Sequence, residues 1–119
     1  MAMRVLIVDD SKPFLDAATM LLEREGLSVA GVASTGADAL RQVESLQPDV
    51  VLVDVFLGEE SGLDIAPRLV GDKTTVILIS THNESDFEDL IAPSRAAGFL
   101  PKEELSASAI RRIVDGRPP

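Results

Sequence analysis

Five residues carry groups that could work together: the acidic pair Asp9-Asp10, the carboxylate of Asp54, the hydroxyl of Ser80 and the ammonium of Lys102. Each lies at or just past the end of a short apolar run: Arg4 to Val8, Val50 to Val53, Thr74 to Ile79, or Gly98 to Pro101. Three carboxylates gathered without a cation repel one another and raise their own pKa values. A hard divalent ion relieves this, and an all-oxygen site with few protein ligands that keeps several waters suits magnesium. In that setting Asp54 can attack a phosphorus in line and form an acyl phosphate. The ion and the Lys102 ammonium would hold phosphoryl oxygens, and Ser80 would donate to another.

The elements that must deliver these groups are legible. Val50 to Phe56 is apolar and mostly β-branched apart from Asp54, the pattern of a strand buried on both faces, and an isolated carboxylate there is costly unless something meets it. Arg4 to Val8 reads as a second strand. Ser11 or Asp10 can cap the helix that follows, which tolerates Pro13 in its first turn, carries Phe14, Leu15, Ala18, Leu21 and Leu22 at helical spacing, and stops at Gly26. Ser28 to Ala33 is a weaker strand. Thr35 to Leu46 is a helix burying Ala39, Leu40, Val43 and Leu46, and Pro48 ends it. Gly58 to Gly62 is a turn-rich loop, and the short helix Leu63 to Val70 is disturbed by Pro67. Thr74 to Ile79 is a strand, Ser85 to Ala97 a marginal helix interrupted by Pro93, Gly98 to Pro101 a strand, and Ser106 to Asp115 a last helix. Five alternations of strand and helix predict a parallel sheet covered on both faces. Ligands of such sheets bind beyond the carboxyl ends of the strands, where all five groups fall.

Composition narrows the function. The 119 residues predict one domain, and 45% apolar content predicts a folded one. The absence of cysteine removes thiolate catalysis, disulfides and cysteine-based zinc sites. A net charge of −9 opposes nucleic-acid binding, so no direct DNA or RNA contact is expected. No export signal or membrane-length apolar run is visible, which makes the cytoplasm the expected location.

Val8-Asp9-Asp10, Leu52-Val53-Asp54 followed by Gly62-Leu63, Ile77-Leu78-Ile79-Ser80 and Gly98-Phe99-Leu100-Pro101-Lys102 together resemble the receiver domains of bacterial two-component response regulators. The likeness spans essentially the whole chain, with residues 1–116 as the receiver domain and 117–119 as a tail or the start of a linker. It implies a flavodoxin-like, doubly wound five-stranded parallel α/β sheet of order 2-1-3-4-5. It also implies that Asp54 accepts a phosphoryl group from a histidine kinase or phosphotransfer protein and relays it as a conformational change to a downstream partner. By the same resemblance Asp10, Asp54 and the Phe56 carbonyl bind Mg2+, Asp9 assists through water, Ser80 and Phe99 are switch residues, and Lys102 contacts the phosphate. Three departures stand out. Gly58 replaces the usual proline and should loosen its loop, Glu103 replaces a frequent proline and favours a trans bond, and Phe99 lacks a tyrosine hydroxyl.

Blander readings exist for each residue. Asp9-Asp10 could cap a helix, Asp54 could be a structural strand-end carboxylate, Ser80 an ordinary turn hydroxyl, Phe99 plain core and Lys102 a solvated charge. His82, the sole histidine, reads as a solvent-side loop residue. An aspartate-nucleophile phosphatase would carry a second acid where Phe56 stands, and a nucleotide-binding enzyme a glycine-rich cradle where Asp-Asp-Ser-Lys stands. A pseudo-receiver would lack one of the five groups. Phe56 at the mouth of the site has no group to orient a hydrolytic water. An acidic fourth helix (Glu84, Asp86, Glu88, Asp89) and Arg111 and Arg112 on the last helix would allow a phosphorylation-dependent homodimer.

Overall fold

A computed structural model describes residues 3–116; the expected tail at 117–119 lies outside the described residues. The main strands are β1 (Arg4–Val8), β2 (Ser28–Ala33), β3 (Val50–Asp54), β6 (Thr75–Ser80) and β7 (Gly98–Pro101). All pair in parallel in the order β2-β1-β3-β6-β7. Two short strands, β4 (Phe56–Leu57) and β5 (Glu60–Ser61), form a separate antiparallel hairpin. With that hairpin set aside, the order is the 2-1-3-4-5 implied by the resemblance. The helices are α1 (Lys12–Arg24), α2 (Gly36–Leu46), α3 (Gly62–Leu69), α4 (Glu88–Ile91) and α5 (Ala107–Val114).

The period of two along β3 sends alternate side chains to opposite faces. Val50 and Leu52 join Leu15, Ala18 and Leu22 of α1 and Ile110 of α5 in one cluster. Val51 and Val53 join Ala39 of α2, Ile65 and Leu69 of α3, and Phe99 in the other. All four of these β3 residues are fully buried, so the strand is clamped between two cores and its carboxyl end is held firmly.

Three expectations need correction. The central strand ends at Asp54: Phe56 belongs to the β4–β5 hairpin and is 51% exposed, because the chain turns as soon as it leaves the core. The stretch expected as a turn-rich loop holds the β4–β5 hairpin, with Gly58 in its turn at φ +60°, a conformation closed to proline. The helix expected from Ser85 to Ala97 is a single turn, α4, between 3-10 turns Glu84–Phe87 and Ala92–Ser94, ended by Arg95 at φ +65°. Pro93 denies it a backbone donor, and Phe87 is the only buried apolar side chain in these turns to anchor it. The remaining helices keep their expected places, with side-chain caps from Ser11, Thr35, Ser61 and Ser106. No cis peptide bond occurs among the described residues.

Candidate functional site

The site forms where β1, β3 and β7 leave the core. Asp9 stays in the sheet through its amide, which donates to Ala33 O at 3.0 Å. The Ser11 amide then donates to Asp9 Oδ1 at 2.8 Å, fixing a fully buried carboxylate. Asp10, one residue on, is exposed. Asp54 at the end of β3 is 7% exposed, and its Oδ1 accepts from the Phe56 amide at 3.1 Å. Lys102 opens a 3-10 turn directly after β7 and folds back over the strand ends. Its Nζ donates to Asp54 Oδ2 at 3.1 Å and stands 2.6 Å from Asp9 Oδ2. The second contact is an ion pair without the alignment of a directed hydrogen bond, and Asp9 Oδ2 has no hydrogen-bond donor among the described residues.

The electrostatics follow from burial. Burial pushes the Asp54 carboxyl above the ordinary aspartate value; the Lys102 hydrogen bond and charge and the Phe56 amide oppose this, while the charge of Asp9 adds to it. Burial alone would lower the Lys102 ammonium, but its close pairing with Asp9 and Asp54, and their charges, outweigh it and hold the lysine above its usual value. Phe14 of α1 presents its ring 4.2 Å from Nζ, a cation–π contact below the ammonium.

Oxygens of Asp9, Asp10 and Asp54 all lie within 4.8 Å of one another. Three carboxylates against one ammonium leave two negative charges, and their oxygens converge, so this donor set fits a hard divalent cation. A recess of about 100 Å3 lined by Ser80, Thr81, Pro101, Lys102 and Glu103 opens beside the ammonium. Larger surface depressions run between β2 and α2 and between β2 and α1, at the far edge of the sheet from β7, and hold none of these groups.

Asp9, Asp10, Asp54 and Lys102 are therefore brought together, while Ser80 shares the recess beside Lys102 but hydrogen-bonds to His82 instead, and Phe99 packs on Phe87. Ser80 is fully buried at the end of β6, where its Oγ accepts from the His82 amide at 3.0 Å and lies 3.4 Å from His82 Nδ1. Phe99 is 6% exposed and packs on Phe87 at 5.8 Å between ring centroids. Phe87 also meets Phe56 at 5.7 Å and His82 at 6.1 Å, and Phe56 and His82 approach to 5.0 Å. His82 is thus exposed, as expected, yet built into an aromatic cluster at the mouth of the site. Sequence reasoning missed Phe14 as a lysine support, Phe87 as the centre of that cluster, and Glu60, whose carboxylate accepts from the Gly36 amide at 3.1 Å. Phe14 and Phe87 carry only a core-like helical spacing, which hides a second role.

The model of the response regulator receiver domain matches residues 5–115. The chain belongs to the response regulator receiver family. It is 33% identical to a putative transcriptional regulator and 34% identical to the response regulator GacA, both of Pseudomonas aeruginosa. Those matches cover 85% and 96% of this chain but 50% and 56% of the relatives, so this receiver chain spans about half their length. The signal receiver domain of the putative response regulator NarL from Mycobacterium tuberculosis superposes with a TM-score of 0.86 at 30% identity, covering 98% of each chain. The five-stranded parallel sheet and its order are those of a flavodoxin-like receiver fold.

Proposed function

We propose that this receiver takes a phosphoryl group on Asp54 from a histidine kinase or phosphotransfer protein and passes the event on as a change of conformation. The reading rests on one observation: a nearly buried aspartate, two neighbouring carboxylates and a lysine converge beyond three parallel strand ends. An Asp54 oxygen forms the new bond to phosphorus as the bond from phosphorus to the donor's imidazole nitrogen breaks. Asp10, Asp54 and the Phe56 carbonyl would hold Mg2+, with Asp9 assisting through water. The ion supplies positive charge against the developing charge on the phosphoryl oxygens. Lys102 changes partners, giving up the consumed Asp54 charge for a phosphoryl oxygen, while Asp9 keeps it in place.

Ser80 and Phe99 are the switch residues of the proposal. The Ser80 hydroxyl leaves His82 for the phosphoryl group, and the aromatic cluster around Phe87 repacks. Phe87 sits in the broken 84–94 segment, which has few buried anchors and so resists such a shift weakly. The chain is a signalling domain and catalyses nothing beyond its own phosphotransfer and dephosphorylation. Residues 1–116 would form the domain, with 117–119 a tail or linker start, in a cytoplasmic setting without direct nucleic-acid contact. A homodimer through the exposed acids of the 84–89 segment and Arg111 and Arg112 is the accompanying partner proposal. Among the described residues no helix is long and apolar enough to cross a membrane.

Amide exchange on free and beryllofluoride-bound protein tests the relay. Altered protection across residues 80–102 is expected, and identical protection there would contradict it.

A further inference from the structure

The β4–β5 hairpin borders two of the three carboxylates. The Phe56 amide donates to Asp54 Oδ1 at 3.1 Å, and a Cβ built on Gly58 would stand 3.7 Å from Asp10 Oδ2. Two residues per strand make too little ladder to hold a hairpin by itself. Its outer strand is tied elsewhere. Glu60 Oε2 accepts from the Gly36 amide at 3.1 Å, across 24 residues, at the first turn of α2.

Two further observations mark this tie as specific. Thr35 Oγ1 already caps α2 by accepting from the Asp38 amide, so Glu60 serves a donor that this cap does not reach. Gly36 leaves the room: a Cβ there would stand 2.7 Å from Glu60 Oε1 and 2.7 Å from Ile65 Cδ1. A carboxylate at the positive end of an 11-residue helix also gains from the helix dipole. Glu60 faces Leu57, and Ser61 faces Phe56, so displacing the outer strand displaces the backbone next to Asp54.

We infer that Glu60 is a positioning residue: docked on the N-terminus of α2, it sets the hairpin that faces Asp10 and Asp54 and thereby raises the site's affinity for a divalent cation. The inference rests on the receiver reading, because it takes the cation to bind at those carboxylates.

The test is calorimetric titration of the metal-free protein with Mg2+, together with amide exchange at residues 56–61 before metal is added. Glu60→Ala should weaken binding by about threefold to tenfold and speed exchange in the hairpin. Loss of one negative charge would also weaken binding, and two variants separate the causes. Glu60→Gln keeps an oxygen acceptor but loses the gain from the helix dipole, and should fall clearly between wild type and Glu60→Ala. Glu59→Ala removes the same charge from the adjacent exposed residue and should stay within roughly twofold of wild type. Glu60→Gln as weak as Glu60→Ala, or Glu59→Ala equally weak, would reduce the effect to charge and overturn the inference. So would Glu60→Ala with wild-type affinity and unchanged exchange, in which case the receiver reading stands. Wild type that binds no Mg2+ overturns both.

Discussion

Replacing Lys102 with methionine keeps most of the length of the side chain and removes the charged Nζ. The lysine side chain is 14% exposed and faces Asp9, which is fully buried, and Asp54. At separations of 2.6 and 3.1 Å and an effective dielectric near ~20, the two attractions are about 6 and about 5 kcal/mol in gross terms. Desolvation of the three ions offsets much of this, and removing one partner of a buried pair typically costs about 3–5 kcal/mol. We therefore expect Lys102→Met to be less stable by about 3 kcal/mol in EDTA at neutral pH, a drop in Tm of roughly 12 °C for a chain of this size. The deficit should shrink as pH falls, because protonating Asp54 removes the repulsion that the lysine had masked. Mg2+ at about ten times its Kd should restore about 1.4 kcal/mol, and the variant should bind it more tightly than wild type does, since a competing cation is gone. Far-UV circular dichroism is the readout, because the chain has neither tryptophan nor tyrosine. A variant that melts with wild type in EDTA, or whose deficit does not change with pH, refutes the electrostatic reading.

Three further outcomes follow from the same geometry. Because the folded-state pKa of Asp54 is raised, its contribution to stability is present below the unfolded value of 3.8 and lost as pH rises through the folded value. Asp54→Asn should accordingly be more stable than wild type in urea at neutral pH, and equal or lower stability would count against a desolvated charge. A Cβ on Gly62 would lie 2.0 Å from Asp54 O, so Gly62→Ala should lose about 3 kcal/mol despite its better helix propensity, and also phosphorylate more slowly. Wild-type stability in that variant would deny the close approach. The Phe56 ring, tilted against His82 with 5.0 Å between centroids, would screen the mouth of the site without orienting water. Phe56→Asn should shorten the life of the acyl phosphate after donor removal, and decay no faster than wild type would show that Phe56 does not shield it.

The centre of the sheet was legible because β1, β3 and β6 are dense in Val, Ile and Leu and each ends at or just before a polar residue. Val50 to Val53, buried on both faces, could hardly be anything else. Gly62 was noticed only for its spacing from Asp54; its physical reason, a backbone carbonyl occupying the place of a side chain, is tertiary. The hairpin after Asp54 was missed because two-residue strands carry no period. The failure of the Ser85–Ala97 helix was foreshadowed by Pro93, but its reduction to a single turn depends on how little of it the core accepts. Types and strand-end positions likewise pointed to Asp9, Asp10, Asp54 and Lys102 as neighbours. Which carboxylate the lysine grips was not legible, because Lys102 reaches Asp9 as well as Asp54 only through the fold of its 3-10 turn. Glu60 was invisible for a similar reason: its partner amide is 24 residues away on another element.

Phosphorylation at Asp54 is open to one direct measurement. Wild type and Asp54→Asn are incubated with acetyl phosphate, in Mg2+ and in EDTA, and read by intact mass. Wild type in Mg2+ should gain the mass of one phosphoryl group, and the other three samples should gain none. Equal labelling of Asp54→Asn, or no labelling of wild type in Mg2+, would contradict the account.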